Sequence, residues 1–369
     1  MKKVCIVSLR CAPGLQKEIA SLCAGFEKRG WASAQLLAAD YEALCECNTN
    51  VEFQHLNRGY AGMMHDFVSE LWSKNLTRKL ESLKPDFVLF YNLSPLNLLL
   101  MRQRTAGEPR FGVVLHDPAK AAKFRHGLSF AITYSFVEWL QAQLVKRCEH
   151  VITLSEYGTT LAERCYPGCG PKIVEGRILL ADRLPSTQVR RTVVSIIGRI
   201  NPATGHDDFF RLANELRGHF ENVSFEIVTS SPAATTQSFE RRAKESGVSI
   251  RHNHVLTEGD IDDAIRRSLC VFRLDTELTQ SGVIPVCYRL GTPVIVRDIP
   301  GLSQHVTEGK TGFRMTPTTS TAEIASWIEA VQSDGPRYER CCRAAFAEFW
   351  SENAFARYYG NLLTSLQEP

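Results

Sequence analysis

No stretch of the 369 residues supplies the roughly 20 continuous apolar residues that a membrane-spanning helix needs. The nearest approach, residues 87–101, is interrupted by Asn92, Pro95 and Asn97. A large charge excess is absent too. The 43 basic and 40 acidic side chains leave +3, which excludes the strongly basic profile of a nucleic-acid binder. The distribution is mildly uneven, with 22 basic against 17 acidic side chains over residues 1–180 and 21 against 23 beyond. That leaves room for an anionic membrane surface or acceptor beside the first half. Low-complexity tracts and short repeats are missing, and 44% hydrophobic with 22% charged residues excludes disordered, collagen-like and coiled-coil classes.

The twelve cysteines lack the order of a metal site. Cys45 and Cys47, Cys165 and Cys169, and the adjacent Cys341-Cys342 form no repeated Cys-x-x-Cys, and no histidine follows at zinc-finger spacing. Residues 1–9 carry a leader-like charge, but their apolar run is short and no small-residue cleavage site follows. They read as a first strand, and the expectation is a cytoplasmic protein with reduced thiols.

What is present is alternation of two periods. Short β-rich runs at 4–9, 32–37, 87–91, 111–115 and 150–154 are separated by segments of helical pattern. In the first of these segments, Leu15, Ile19, Leu22, Cys23 and Phe26 form one apolar stripe. Segments 62–84 and 128–148 also predict helix. A second series of strands, 192–198, 223–229, 270–274 and 293–296, alternates with a helix carrying Phe209, Phe210, Leu212, Ala213 and Leu216 and with helices near 237–246, 260–268 and 321–333. Breakers cluster at 165–171 and 183–186, placing the junction between halves within 166–190. The pattern predicts two parallel α/β domains, whose ligands sit beyond the carboxyl ends of the strands.

The loops at those ends carry the chemistry. Residues 277–296 run from a polar loop ending in Ser281-Gly282, through an apolar helix and the Gly291 turn, into a buried strand. Small residues at a helix start leave amides open to an anionic diphosphate, although the same pair can simply cap the helix. Arg199, after Gly198, is a permanently charged forked donor suited to phosphate; the alternative is a surface ion pair. His116-Asp117-Pro118 follows the strand at 111–115, and His116 is either a site residue or a satisfied structural one. Pro13-Gly14 marks the turn after the first strand. His126 and the basic run 120–125 meet an acceptor or anionic lipid, or else lie on a solvated face. His252 and His254 alternate along an extended segment and lack a third metal ligand. The late aromatics Phe346, Phe349, Trp350, Phe355, Tyr358 and Tyr359 read as core.

The run from Gln280 to Val296, with Asp298, Pro300-Gly301-Leu302 and Gly309-Lys310-Thr311-Gly312, resembles the donor-site region of family 4 glycosyltransferases. Gln280-Ser281-Gly282 is similar to the subgroup with Gln-Ser-Gly before the helix. The resemblance implies the GT-B fold: two Rossmann-like, doubly wound domains facing a cleft. It implies an acceptor-side domain at 1–175, a nucleotide-sugar domain at 176–350, and a final helix at 351–369 returning to the first domain. The implied activity is metal-independent transfer, with retention and no cofactor, from a UDP- or GDP-sugar to a glycan or lipid-linked acceptor. Peripheral membrane contact and a place in polysaccharide or lipopolysaccharide biosynthesis go with it.

By the same resemblance His116, Asp117 and Arg199 are catalytic, with Asp117 orienting the His116 ring or shaping its loop. Gly198, Val255, Glu277, Gln280, Ser281, Gly282 and Val283 bind the donor, and Pro13, Gly14 and His126 lie on the acceptor side. Three family features are absent: Leu278 and Val286 stand where paired glutamates are usual, and Thr204 where a lysine is expected. Two alternatives stay open, a nucleotide-sugar 2-epimerase and a degenerate, partner- or nucleotide-binding homologue.

Overall fold

Continuous runs of β-branched and aromatic residues suit strands buried on both faces, which is what parallel sheets require. A computed structural model describes all residues except 11–13, 45–49, 58, 102–108, 119–127, 185–188 and 368–369. The chain separates into two compact units, Met1–Ala181 with Glu352–Pro369, and Asp182–Ser351.

In the first unit, strands β1 (Lys3–Ser8), β2 (Ala32–Ala38), β3 (Val51–Gln54), β4 (Phe87–Phe90), β5 (Arg110–Leu115), β6 (His150–Thr153) and β7 (Ile173–Glu175) form one sheet. It is parallel throughout, in the order β3-β2-β1-β4-β5-β6-β7. Helices α1 (Leu15–Glu27), α2 (Gly59–Ser73), α3 (Asn75–Leu83), α4 (Pro95–Leu100), α5 (Leu128–Arg147) and α6 (Glu156–Cys165) connect the strands. The predicted helix over 62–84 is two helices, because Lys74 takes a left-handed φ of 52°. The buried Glu70 carboxylate then accepts from the Leu76 and Thr77 amides, capping α3.

The second unit repeats the plan with β8 (Val193–Ile197), β9 (Ser224–Thr229), β10 (Val248–His252), β11 (Ser268–Arg273), β12 (Val294–Arg297) and β13 (Gly312–Met315). Their order is β10-β9-β8-β11-β12-β13, again parallel. The helices are α7 (His206–Leu216), α8 (Gln237–Glu245), α9 (Glu258–Arg267), α10 (Val283–Arg289), α11 (Pro300–Ser303), α12 (Thr321–Ser333) and α13 (Gly335–Phe349). Capping boxes start α9 (Thr257 with Asp260) and α12 (Ser320 with Glu323), each satisfying amides that a helix start would otherwise leave open. Phe209, Phe272, Ile295 and Ile328 are among the fully buried side chains of this unit's core.

The last helix, α14 (Phe355–Gln367), packs in the first unit against α1 and β7. Phe355 meets Phe26 edge-on at 5.2 Å and stacks on Tyr359 at 5.0 Å. The Tyr359 hydroxyl donates to the Arg177 carbonyl at 2.8 Å. That bond, with the burial of Ile178, Leu179 and Leu180, ties residues 176–181 to the first unit. The division therefore falls after Ala181 rather than after 175. Among the described residues no helix is long and apolar enough to cross a membrane.

Candidate active site

A parallel sheet opens a crevice where its strand order reverses, because the connections on either side leave in opposite directions. In the second unit that point lies between β8 and β11. The loops after these two strands hold six of the residues singled out from the sequence: Gly198 and Arg199 after β8, and Glu277, Gln280, Ser281 and Gly282 after β11. Val283 opens the helix that follows.

The two loops are tied together. The Thr276 amide donates to the Ala203 carbonyl at 2.8 Å. Gly205 has φ +69°, and a Cβ there would come within 2.4 Å of the Leu274 carbonyl, so only glycine fits. Arg199 is exposed, and no described residue pairs with it. Its guanidinium is thus open to an anion rather than spent in a surface ion pair.

Beneath Gly198 lies a second arginine that the sequence reading missed. Arg273 donates to the Ile197 carbonyl at 2.8 Å and pairs with Asp275 at 2.9 Å. The side chains of this pair are 12% and 7% exposed. Burial pushes the Asp275 carboxyl up, and the nearby Arg273 and Arg297 oppose that shift. An arginine between Phe272 and Leu274 on a buried strand was the available signal.

Thr204 occupies the place where a lysine was expected, and its hydroxyl donates to the Asn201 carbonyl at 2.7 Å. The same oxygen lies 2.7 Å from His206 Nδ1, so that nitrogen carries the proton and donates. Burial, reinforced by Arg273, lowers the His206 pKa to about 4. The loop is therefore rigid around a neutral imidazole.

The β11–α10 loop is braced from the α11 side. A Cβ on Gly301 would reach 1.7 Å from the Leu278 carbonyl, and the Gln304 amide donates to the Thr279 carbonyl at 3.3 Å. Glu277 and Gly282 are exposed and Gln280 half-buried. Ser281 is buried, and its hydroxyl accepts from the Val283 amide at 3.3 Å. That amide is turned inward onto Ser281. Val255 is 59% exposed in the loop after the edge strand β10, with β9 between it and β8. The His252 and His254 rings meet edge-on at 5.6 Å, and no cluster of three metal-binding side chains occurs among the described residues.

In the first unit the order reverses between β1 and β4. Asn92 spans that point: its amide donates to Ser8 Oγ at 2.8 Å and to the Arg10 carbonyl at 2.6 Å. It also accepts from the Leu9 amide at 3.2 Å. Pro13 and His126, and the basic run 120–125, lie outside the described residues. Gly14 has φ −68°, and open space surrounds its missing Cβ, so neither backbone nor packing demands glycine there.

His116 follows β5, half-buried, with Nε2 at 2.8 Å from the Tyr91 carbonyl and its ring edge-on to Tyr91 at 5.3 Å. A carbonyl only accepts, so Nε2 bears the proton. Tyr91 in turn donates its hydroxyl to Glu18 at 2.7 Å, and burial raises that carboxyl above its ordinary range. The Tyr91 carbonyl thus holds Nε2. Asp117 accepts through its main-chain oxygen from Gln141 at 3.2 Å, a contact that shapes the loop. Glu18 also escaped the sequence reading, although an acid three residues after Leu15 and four before Leu22 sits within the apolar stripe of α1.

Known proteins bear on this arrangement in two ways. Residues 191–334 match the family model described as Glycosyl transferases group 1. No curated protein matches the chain in sequence. Solved structures do match in fold. HepE of Anabaena, crystallised with UDP, is 15% identical with a TM-score of 0.71 over 99% of this chain and 100% of its own. S. aureus TarM, as a mutant crystallised with fondaparinux, alpha-GlcNAc-glycerol and UDP, is 10% identical with a TM-score of 0.72 over 100% of both chains. Sucrose-phosphate synthase from Thermosynechococcus elongatus is 13% identical with a TM-score of 0.74 over 99% of both. The two Rossmann-like parallel sheets are those of the GT-B glycosyltransferase fold.

Proposed function

We propose that the chain is a glycosyltransferase that moves a sugar from a nucleotide diphosphate to a glycan or lipid-linked acceptor, with retention. One observation carries this reading: the Gly198-Arg199 and Glu277–Gly282 loops flank the reversal point of the sheet that matches the group 1 glycosyltransferase model. Transfer builds negative charge on the leaving phosphate, and a fixed guanidinium stabilises that charge without reorganisation. Arg199 is that group. The Arg273–Asp275 pair is a positioning element that fixes the end of β8 and thereby Gly198 and Arg199.

Glu277 and Gln280 take hydroxyls of the donor sugar, the Gly282 amide approaches its diphosphate, and Val255 borders the nucleotide. We assign His116, held by Tyr91 and shaped by the Asp117 turn, to the reacting sugar, and Gly14 to the acceptor. Retention fits a sequence in which no pair of carboxylates offers an obvious catalytic base, since the leaving phosphate itself then assists the acceptor hydroxyl. The reading needs neither metal nor cofactor. It places the protein in the cytoplasm at the inner membrane face, in polysaccharide or lipopolysaccharide assembly. UDP in the HepE and TarM crystals makes a UDP-sugar the first donor to try, with GDP-sugars second.

The test is nucleotide release over a donor panel, with product mass measured. Transfer gives nucleotide and a glycosylated acceptor. An isomerised sugar without acceptor assigns a 2-epimerase instead. Nucleotide binding without turnover for any donor assigns a degenerate homologue, a reading that Thr204 in place of a lysine motivates.

A further inference from the structure

Four large apolar side chains stand open to water on one helix: Met64 (49% exposed), Val68 (49%), Leu71 (40%) and Trp72 (85%) of α2. Their spacing of four, three and one residues puts them on one stripe. Other residues of α2 pack toward α3 and α4. The exposed stripe carries no carboxylate among the described residues. Asp66 is turned onto Asn57, whose main-chain and side-chain amides donate to it at 2.7 and 2.5 Å, and Glu70 is buried in capping α3. His65 and Ser69 are the other exposed described residues of the helix. Beyond it, over residues 74–86, Lys74, Arg78 and Lys84 are exposed, against the exposed acids Glu81 and Asp86, the latter taken up by the Lys3 amide at 2.6 Å.

We infer that this face of α2 rests on an anionic lipid bilayer. An apolar stripe ending in tryptophan, cleared of acids and bordered by cations, is the composition of a helix lying in the headgroup region. A second copy of the chain is a poorer occupant. Four side chains offer on the order of a few hundred Å², against about 800 Å² per subunit in a stable dimer. The inference deepens the peripheral contact proposed above by naming its surface and the charge of its lipid. Its test uses no sugar donor, so it stands or fails apart from the transferase reading.

The full chain is sedimented with phosphatidylcholine vesicles, and with vesicles that also contain phosphatidylglycerol, at low and high salt. Expected is binding to the anionic vesicles that weakens with salt. Val68→Ala/Trp72→Ala should weaken it about tenfold with an unchanged melting temperature, because both side chains are exposed. Lys74→Ala/Lys84→Ala should remove much of the salt dependence. Equal binding to neutral vesicles, no binding to either, or no loss in the Val68/Trp72 variant overturns the inference. So does a dimer in sedimentation velocity that disappears with Trp72→Ala, since the face then belongs to a second copy.

Discussion

Arg199 and Arg273 stand at the ends of neighbouring strands and share little but their charge. Arg199 is exposed, so its truncation should leave the melting temperature unchanged while nucleotide release falls to background. Arg273 is buried with Asp275, and removing one partner strands the other charge in the interior. Arg273→Ala should therefore destabilise the protein by about 3 kcal/mol or more, measured by denaturant unfolding. His206 adds a pH signature. Its folded pKa, about 4, lies below the ordinary value of 6.5, so the unfolded chain binds more protons between these values. Stability is fully present above about pH 6.5 and falls as the pH drops toward 4, by up to about 3 kcal/mol. His206→Asn keeps a donor toward Thr204 and should flatten that slope in pH-dependent unfolding. Arg199 was legible as a candidate because it follows an apolar run and a glycine. Arg273, Asp275 and Glu18 were not, since their importance comes from burial and from partners distant in sequence.

At the scale of elements, long apolar runs announced their strands, whereas short or half-polar ones did not. Residues 111–115 and 150–154 correspond to β5 and β6 within a residue. The strands β3, β7 and β13 went unread. They read Val-Glu-Phe-Gln, Ile-Val-Glu and Gly-Phe-Arg-Met, so a charged residue interrupts or ends each short run before an apolar pattern is established. β10 reads Val-Ser-Ile-Arg-His, an edge strand whose polar residues masked it as a loop. Of the late aromatics Phe346, Trp350, Phe355 and Tyr359 are core and Phe349 and Tyr358 half-buried; Phe355 fills the space left by the missing side chain of Gly25, where a Cβ would come within 2.1 Å of the ring. Gly25→Ala should thus push α14 off α1 and cost about 1–3 kcal/mol in thermal or denaturant unfolding. Combining it with Phe355→Ala should cost less than the sum of the two changes, because the second change removes the clash.

For the whole molecule, alternation of two periods sufficed to give two parallel α/β units, and the residues at 280–312 narrowed the fold to GT-B. Which loops share one end of one sheet needed the strand order, because the reversal between β8 and β11 joins segments some 80 residues apart in sequence. The most direct measurement of the central claim is titration calorimetry of UDP and GDP into the intact chain and into Arg199→Ala. The account predicts saturable binding of at least one nucleotide, weakened tenfold or more by the substitution, about 1.4 kcal/mol, with both proteins melting at the same temperature. Equal affinity of the two proteins, or no heat of binding with either nucleotide, would contradict it.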